Sequence, residues 1–118
     1  MKPYNHAENS ARKLGGKPED YLPIHNWMDQ TKAHVPDVRH RLILHNSFGI
    51  FLCEQAFGTT ITNSDGKVIS VRDVAEQHVI EDLGTIPSLQ EALRSTKSEA
   101  WMAGGFSRER IKVIDFKS

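Results

Sequence analysis

Apolar residues recur along most of this chain at helical spacing, interrupted once by a stretch of strand-like alternation. Asn5 to Leu14 collects the helix formers Ala7, Glu8, Ala11, Arg12, Lys13 and Leu14 and runs into Gly15-Gly16, a strong stop, so a short first helix is predicted. Pro18-Glu19-Asp20 places a proline and two acids in the first turn of a second helix. Leu22, Ile24, Trp27 and Met28 carry it to about Lys32, with Pro23 suggesting a bend or a later start. The strongest pattern opens at Pro36-Asp37, where Val38, Leu42, His45, Gly49, Leu52 and Ala56 stand three to four apart and Gly58 closes the run. A second apolar row, Leu44, Phe48, Phe51 and Phe57, lies beside the first. Together they predict a helix from Pro36 to Phe57, apolar over much of its circumference and therefore central.

The period then changes. Thr59-Thr60-Ile61-Thr62 is β-branched, Asn63-Ser64-Asp65-Gly66 is a turn signal, and Lys67 to Val71 alternates, which reads as one β-hairpin. A further helix begins at Ser70 or Asp73, carries Val74, His78 and Leu83 and ends at Gly84, and a short one follows from Ser88 to Arg94. Trp101 to Gly105 reads as loop, and Arg110 to Phe116 alternates like a strand. The fold class is therefore α+β: a mainly helical single domain with a central long helix and one β-hairpin over residues 1–96, then a C-terminal extension, 97–118, of loop plus strand. That strand must pair with something. It either extends the hairpin or crosses a two-fold axis to make a homodimer, with Trp101 and Phe106 as apolar anchors.

Composition narrows the possibilities. A chain of 118 residues with 38% hydrophobic content supports one core rather than two. No apolar run approaches the roughly 20 residues that cross a bilayer, and Met1 to His6 lacks the apolar centre of a signal peptide, so neither a membrane nor a secretory reading is expected. Fifteen basic residues balance 15 acidic ones, which leaves no net charge to drive nucleic-acid binding by counterion release. The single Cys53 excludes an internal disulfide and every multi-cysteine zinc motif, and points to a reducing, cytoplasmic setting. On the long helix it reads as a buried, inert thiol.

Six histidines are the most unusual feature of the composition. Residues three and four apart share a helix face, and His25 with Asp29, Asp37 with His40, and His78 with Glu81 and Asp82 all meet that spacing. His45 joins them on the apolar row of the long helix. Imidazole nitrogen and carboxylate oxygen suit a divalent transition metal, zinc or manganese, so His25, Asp29, His40, His45, His78 and Asp82 are the candidate ligands. An open coordination position would activate water, a carboxylate such as Asp37 would take its proton, and Arg39 or Arg41 would hold an anionic group. This predicts a small metal-binding protein acting as a phosphoester or nucleotide hydrolase. Against it stands a simpler reading: a His–acid pair on a helix is commonly a solvated face or a structural hydrogen bond, and Arg39 and Arg41 would only neutralise nearby acids. His6 and His34 are expected to face solvent. The alternative function is a non-enzymatic interaction protein that binds a host or partner protein through the apolar tail.

The run from Gly15-Gly16 through Glu19-Asp20-Tyr21, Ile24-His25-Asn26-Trp27, Asp29, Lys32-Ala33, Asp37, Arg39-His40-Arg41 and His45 resembles an uncharacterised family of small bacterial and bacteriophage proteins. The likeness continues through Gly49-Ile50-Phe51, Phe57-Gly58, Thr60 to Gly66, Val71-Arg72, Glu76 to Val79, Glu81 to Gly84 and Ile86-Pro87. It covers about residues 4–95, implies the cytoplasm of a bacterium or a phage-infected cell, and carries no activity.

Overall fold

Seven α-helices and one β-hairpin make up the computed structural model, which describes residues 1–104. The strand expected at Arg110 to Phe116 and its dimer contact lie outside the described residues. The order is α1 (Pro3–Leu14), α2 (Pro18–Met28), two 3₁₀ turns (Gln30–Ala33 and Val38–His40), α3 (Arg41–Leu44), α4 (Ser47–Phe57), β1 (Thr60–Thr62), β2 (Val68–Ser70), α5 (Val71–Leu83), α6 (Leu89–Ala92) and α7 (Ala100–Ala103). The α+β class and the mainly helical content follow the sequence pattern. Among the described residues α7 differs, a helical turn where loop was expected, built on the helix formers Ala100, Met102 and Ala103.

Short-range chemistry explains most boundaries. Ser70 caps α5 by accepting from the Asp73 N–H, and Gly84 ends it in the left-handed conformation that glycine adopts without strain. Ser88 and Glu91 form a reciprocal capping box on α6. The hairpin strands pair antiparallel with Ile61 opposite Ile69. Its turn is latched to the α1–α2 corner: Asp65 accepts from the Gly16 N–H at 2.8 Å, and Ser64 donates to Asp20 at 2.7 Å.

The expected long helix from Pro36 to Phe57 is instead a 3₁₀ turn, α3 and α4, with the break at His45 and Asn46. Asn46 serves both helix ends. Its Nδ2 donates to the carbonyls of Leu42 and Ile43 at 3.1 Å, and its Oδ1 accepts from the Gly49 N–H at 2.9 Å. A Cβ on Gly49 would overlap the Leu44 carbonyl, so the close approach of the two helices requires glycine there. The central element is accordingly α5, which packs against α1, α2 and α4. Val71, Val74, Ala75 and Val79 meet Ala7, Tyr21, Ile24, Met28, Ile50 and Cys53 in one buried cluster, each large aliphatic side chain contributing about 1.5–3 kcal/mol by its burial. Helix α2 begins at Pro18, keeps Pro23 within it, and stops at Met28 rather than near Lys32.

A buried histidine and aspartate cluster as candidate metal centre

Five histidines, His6, His25, His40, His45 and His78, lie within 4% of full burial and gather where the ends of α2 and α5 meet the start of α1 and the broken segment. Asp29 closes α2 and Asp82 stands in the last turn of α5. Both carboxylates thus sit at helix C-termini, where the macrodipole opposes a negative charge and favours a cation.

Four side chains converge tightly. His78 Nε2 lies 3.1 Å from Asp29 Oδ1 and 3.4 Å from Asp82 Oδ2, and His45 Nε2 lies 3.4 Å and 2.9 Å from the same two oxygens. Ligands held at about 2.0–2.2 Å from a tetrahedral zinc ion stand roughly 3.3–3.6 Å apart. The cluster is within a few tenths of an ångström of that spacing. Asp29, His45, His78 and Asp82 are therefore positioned to hold a metal ion. His40 Nε2 approaches Asp29 Oδ1 at 3.5 Å from one side, and His6 Nε2 approaches Asp82 Oδ1 at 3.2 Å from the other.

The outer nitrogens show which atoms face inward. His6 Nδ1 donates to Glu81 at 2.7 Å and His40 Nδ1 donates to the Asp37 carbonyl at 2.9 Å, since both partners can only accept. Each ring in its neutral form therefore turns a lone pair on Nε2 toward a carboxylate oxygen, and neither Nε2 has a hydrogen-bond partner among the described residues. Two acceptors face one another unless a proton or a metal ion stands between them. A carboxylate or carbonyl behind an imidazole is the usual support of a ligating histidine.

The charges agree. Burial alone would raise Asp29 and Asp82, yet the imidazoles set against them, His45 and His78 at both and His6 at Asp82, hold both far below the usual carboxylate range. Burial would lower His45, but its bonds to Asp29 and Asp82 outweigh that and raise it. His25 is pushed down to about 3 by burial, then by His78 and His6. Cys53, apart from the cluster, is pushed up to about 12 by burial and Glu54, which leaves it an unreactive thiol.

A cavity of about 440 Å³ opens onto this cluster, lined by Met1, Lys2, Asn5, Asp29, Lys32, His40, Arg41 and Asp82. Arg41 Nη2 lies 3.6 Å from Asp82 Oδ1, and its buried Nε has no partner among the described residues.

The profile of one protein family, described as a domain of unknown function (DUF6915), matches residues 1–102. The chain belongs to this family. The DUF6915 domain spans every residue of the cluster and runs beyond both ends of the 4–95 resemblance, into α7. No curated protein and no solved structure matches the chain.

Of the six candidate ligands in this DUF6915 domain, Asp29, His45, His78 and Asp82 form the centre and His40 adjoins it. His25 stands one step back, because Ser10 engages its Nε2 and His78 its Nδ1. Of the three catalytic candidates only Arg41 reaches the cluster. Asp37 and Arg39 pair with each other at 2.8 Å on the exposed surface, and Asp37 serves His40 through its backbone. His34 is exposed as expected, but His6 is fully buried, contrary to its expected solvent exposure. Its helix face explains this: His6 and Ser10 share a three-to-four spacing with Ala7, Ala11 and Leu14, a small and apolar stripe that packs inward.

Proposed function

We propose that this protein binds a divalent transition metal, zinc or manganese, between Asp29, His45, His78 and Asp82, and uses it to hydrolyse an anionic phosphoester or nucleotide. The observation that carries the reading is the convergence of two imidazole Nε2 atoms and two carboxylates, buried and at the spacing of metal ligands, in Asp29, His45, His78 and Asp82. Nitrogen and oxygen donors in this mixture suit zinc and manganese better than calcium, which takes oxygen alone.

The cavity supports the reaction class. Its lining combines cluster residues with the cations Arg41, Lys32 and Lys2, so a phosphate entering it would meet both the metal and positive charge. A metal held by these four residues would lower the pKa of a nearby water to near neutrality. Hydrolysis joins the water oxygen to phosphorus as the bond to the leaving alkoxide breaks, and the alkoxide leaves with a proton. His40, which lines the cavity and carries its lone pair on Nε2, accepts the proton from the water and returns it. Arg41 holds a phosphate oxygen in place.

Elemental analysis of untagged protein decides the first step. At least half an equivalent of zinc or manganese, on the order of what mass action demands of a competent site, is expected after metal challenge. Less than about one-tenth of an equivalent would remove the reading. Turnover of a phosphodiester by loaded protein, and its loss with a chelator, tests the second step.

A further inference from the structure

Behind the metal cluster runs an unbroken chain of buried polar groups, and its polarity can be worked out from one end. Glu81 Oε2 accepts from Gln77 Nε2 at 3.2 Å, and the His6 carbonyl accepts from the same nitrogen at 3.0 Å. Both partners can only accept, so the amide orientation of Gln77 is determined and its Oε1 points the other way. Ser10 Oγ lies 2.8 Å from that Oε1 and 3.2 Å from the His6 carbonyl, two further groups that can only accept. The single hydroxyl proton of Ser10 is therefore spent on them. Its lone pair then faces His25 Nε2 at 2.8 Å, which must carry a proton. His25 touches no carboxylate among the described residues, so it keeps one proton and its Nδ1 is a bare acceptor. That Nδ1 lies 2.9 Å from His78 Nδ1, which must donate. His78 Nε2 is left for the gap between Asp29 and Asp82.

We infer that Glu81, Gln77, Ser10 and His25 are positioning residues of the metal centre, a relay that holds His78 with its proton on Nδ1 and its Nε2 free for the ion. Glu81 governs two histidines at once. Its Oε1 takes the Nδ1 proton of His6 directly, while its Oε2 sets His78 through three intermediates. An acid in the last turn of α5 beside Asp82 thus acts without ligating, and Asn9 Nδ2 steadies it at 3.1 Å. Free imidazole favours neither nitrogen strongly enough to survive a contrary partner, so the relay selects the form that can bind metal.

The inference rests on the metal reading only for its affinity consequence, and its test has two arms. In the first, long-range nitrogen–proton NMR of metal-free, full-length protein reports which ring nitrogens carry protons. His25 protonated on Nε2 alone, with His78 protonated on Nδ1, is expected. His25 protonated on Nδ1 overturns the inference, whether or not the protein binds metal. In the second, zinc affinity is compared among wild type, Ser10→Ala and Ser10→Thr. Ser10→Ala is expected to bind roughly 10–100-fold more weakly, and Ser10→Thr, which keeps the hydroxyl, to recover most of the loss. Equal affinity in Ser10→Ala and wild type overturns the relay. If Ser10→Ala does not fold, Gln77→Met takes its place with the same expectation. Absence of zinc binding by wild type would remove the metal reading and leave the first arm to decide the relay.

Discussion

His6 and Glu81, 75 positions apart, join at 2.7 Å through the imidazole Nδ1 and a carboxylate oxygen. The pair ties the first helix to the last turn of α5 and turns His6 Nε2 toward Asp82. Local helix spacing cannot produce such a pairing, and several consequences of the cluster it helps close are open to measurement.

Asp82 is shared by three histidines, His6, His45 and His78, all within 3.4 Å of it, and its side chain is 2% exposed. Removing one partner of a buried ionic network costs about 3–5 kcal/mol. Asp82→Ala should lose that much stability in urea denaturation of the metal-free protein and should retain no metal on elemental analysis. Metal content equal to wild type would show that Asp82 is no ligand.

Asn46 caps both α3 and α4, so Asn46→Ala should cost about 1–2 kcal/mol. Gly49→Ala, which drives a Cβ into the Leu44 carbonyl, should cost about 3 kcal/mol or more. Both act on the break that aims His45, so zinc affinity should fall along with stability. Titration of each folded variant with zinc separates this from a purely local effect.

Arg41 and Arg39 flank the same histidine but differ in surroundings. Arg41→Ala should raise KM for a phosphoester by about tenfold or more with metal content unchanged, because it removes a charged hydrogen bond worth about 1.5–3 kcal/mol. Arg39→Ala should leave the kinetics alone, since that guanidinium is engaged by Asp37 on the surface. Steady-state kinetics of the two variants side by side make the comparison.

Acid should destabilise the metal-free protein through His25. Folded, this ring stays neutral down to about 3; unfolded, it takes a proton near about 6.5. Between those values the unfolded chain holds the extra proton, so stability present above pH 6.5 is lost as pH falls. His45 is raised in the fold, so its contribution is already complete below pH 6.5 and does not oppose this. About 2 kcal/mol should disappear between pH 6.5 and pH 5, measured from urea midpoints. A His25→Phe variant should show a correspondingly shallower fall.

The sequence alone determined the elements whose causes are local. Gly15-Gly16, Pro18, Ser70 and Gly84 mark helix ends by caps and turns within a few residues, and Asn63 to Gly66 makes its turn by the same short-range chemistry. His78 with Asp82 was legible for the same reason, since four residues along a helix bring side chains to one face. His40 and His45 were legible as candidates but not as neighbours: five residues on a continuous helix point about 140° apart, whereas here His40 ends a 3₁₀ turn, His45 ends the short α3, and both lie beside Asp29. Asn46-Ser47 is a recognisable cap, yet the apolar rows running across it read as one helix, because periodicity records burial and α3 and α4 are both buried on one side. Tertiary structure alone decided that His6 enters the cluster, that Glu81 stands behind it and that Arg41 rather than Arg39 reaches it. Those choices depend on how α1, α2 and α5 pack, through apolar contacts between residues tens of positions apart, and hydrophobic burial has no direction that a spacing along the chain could encode.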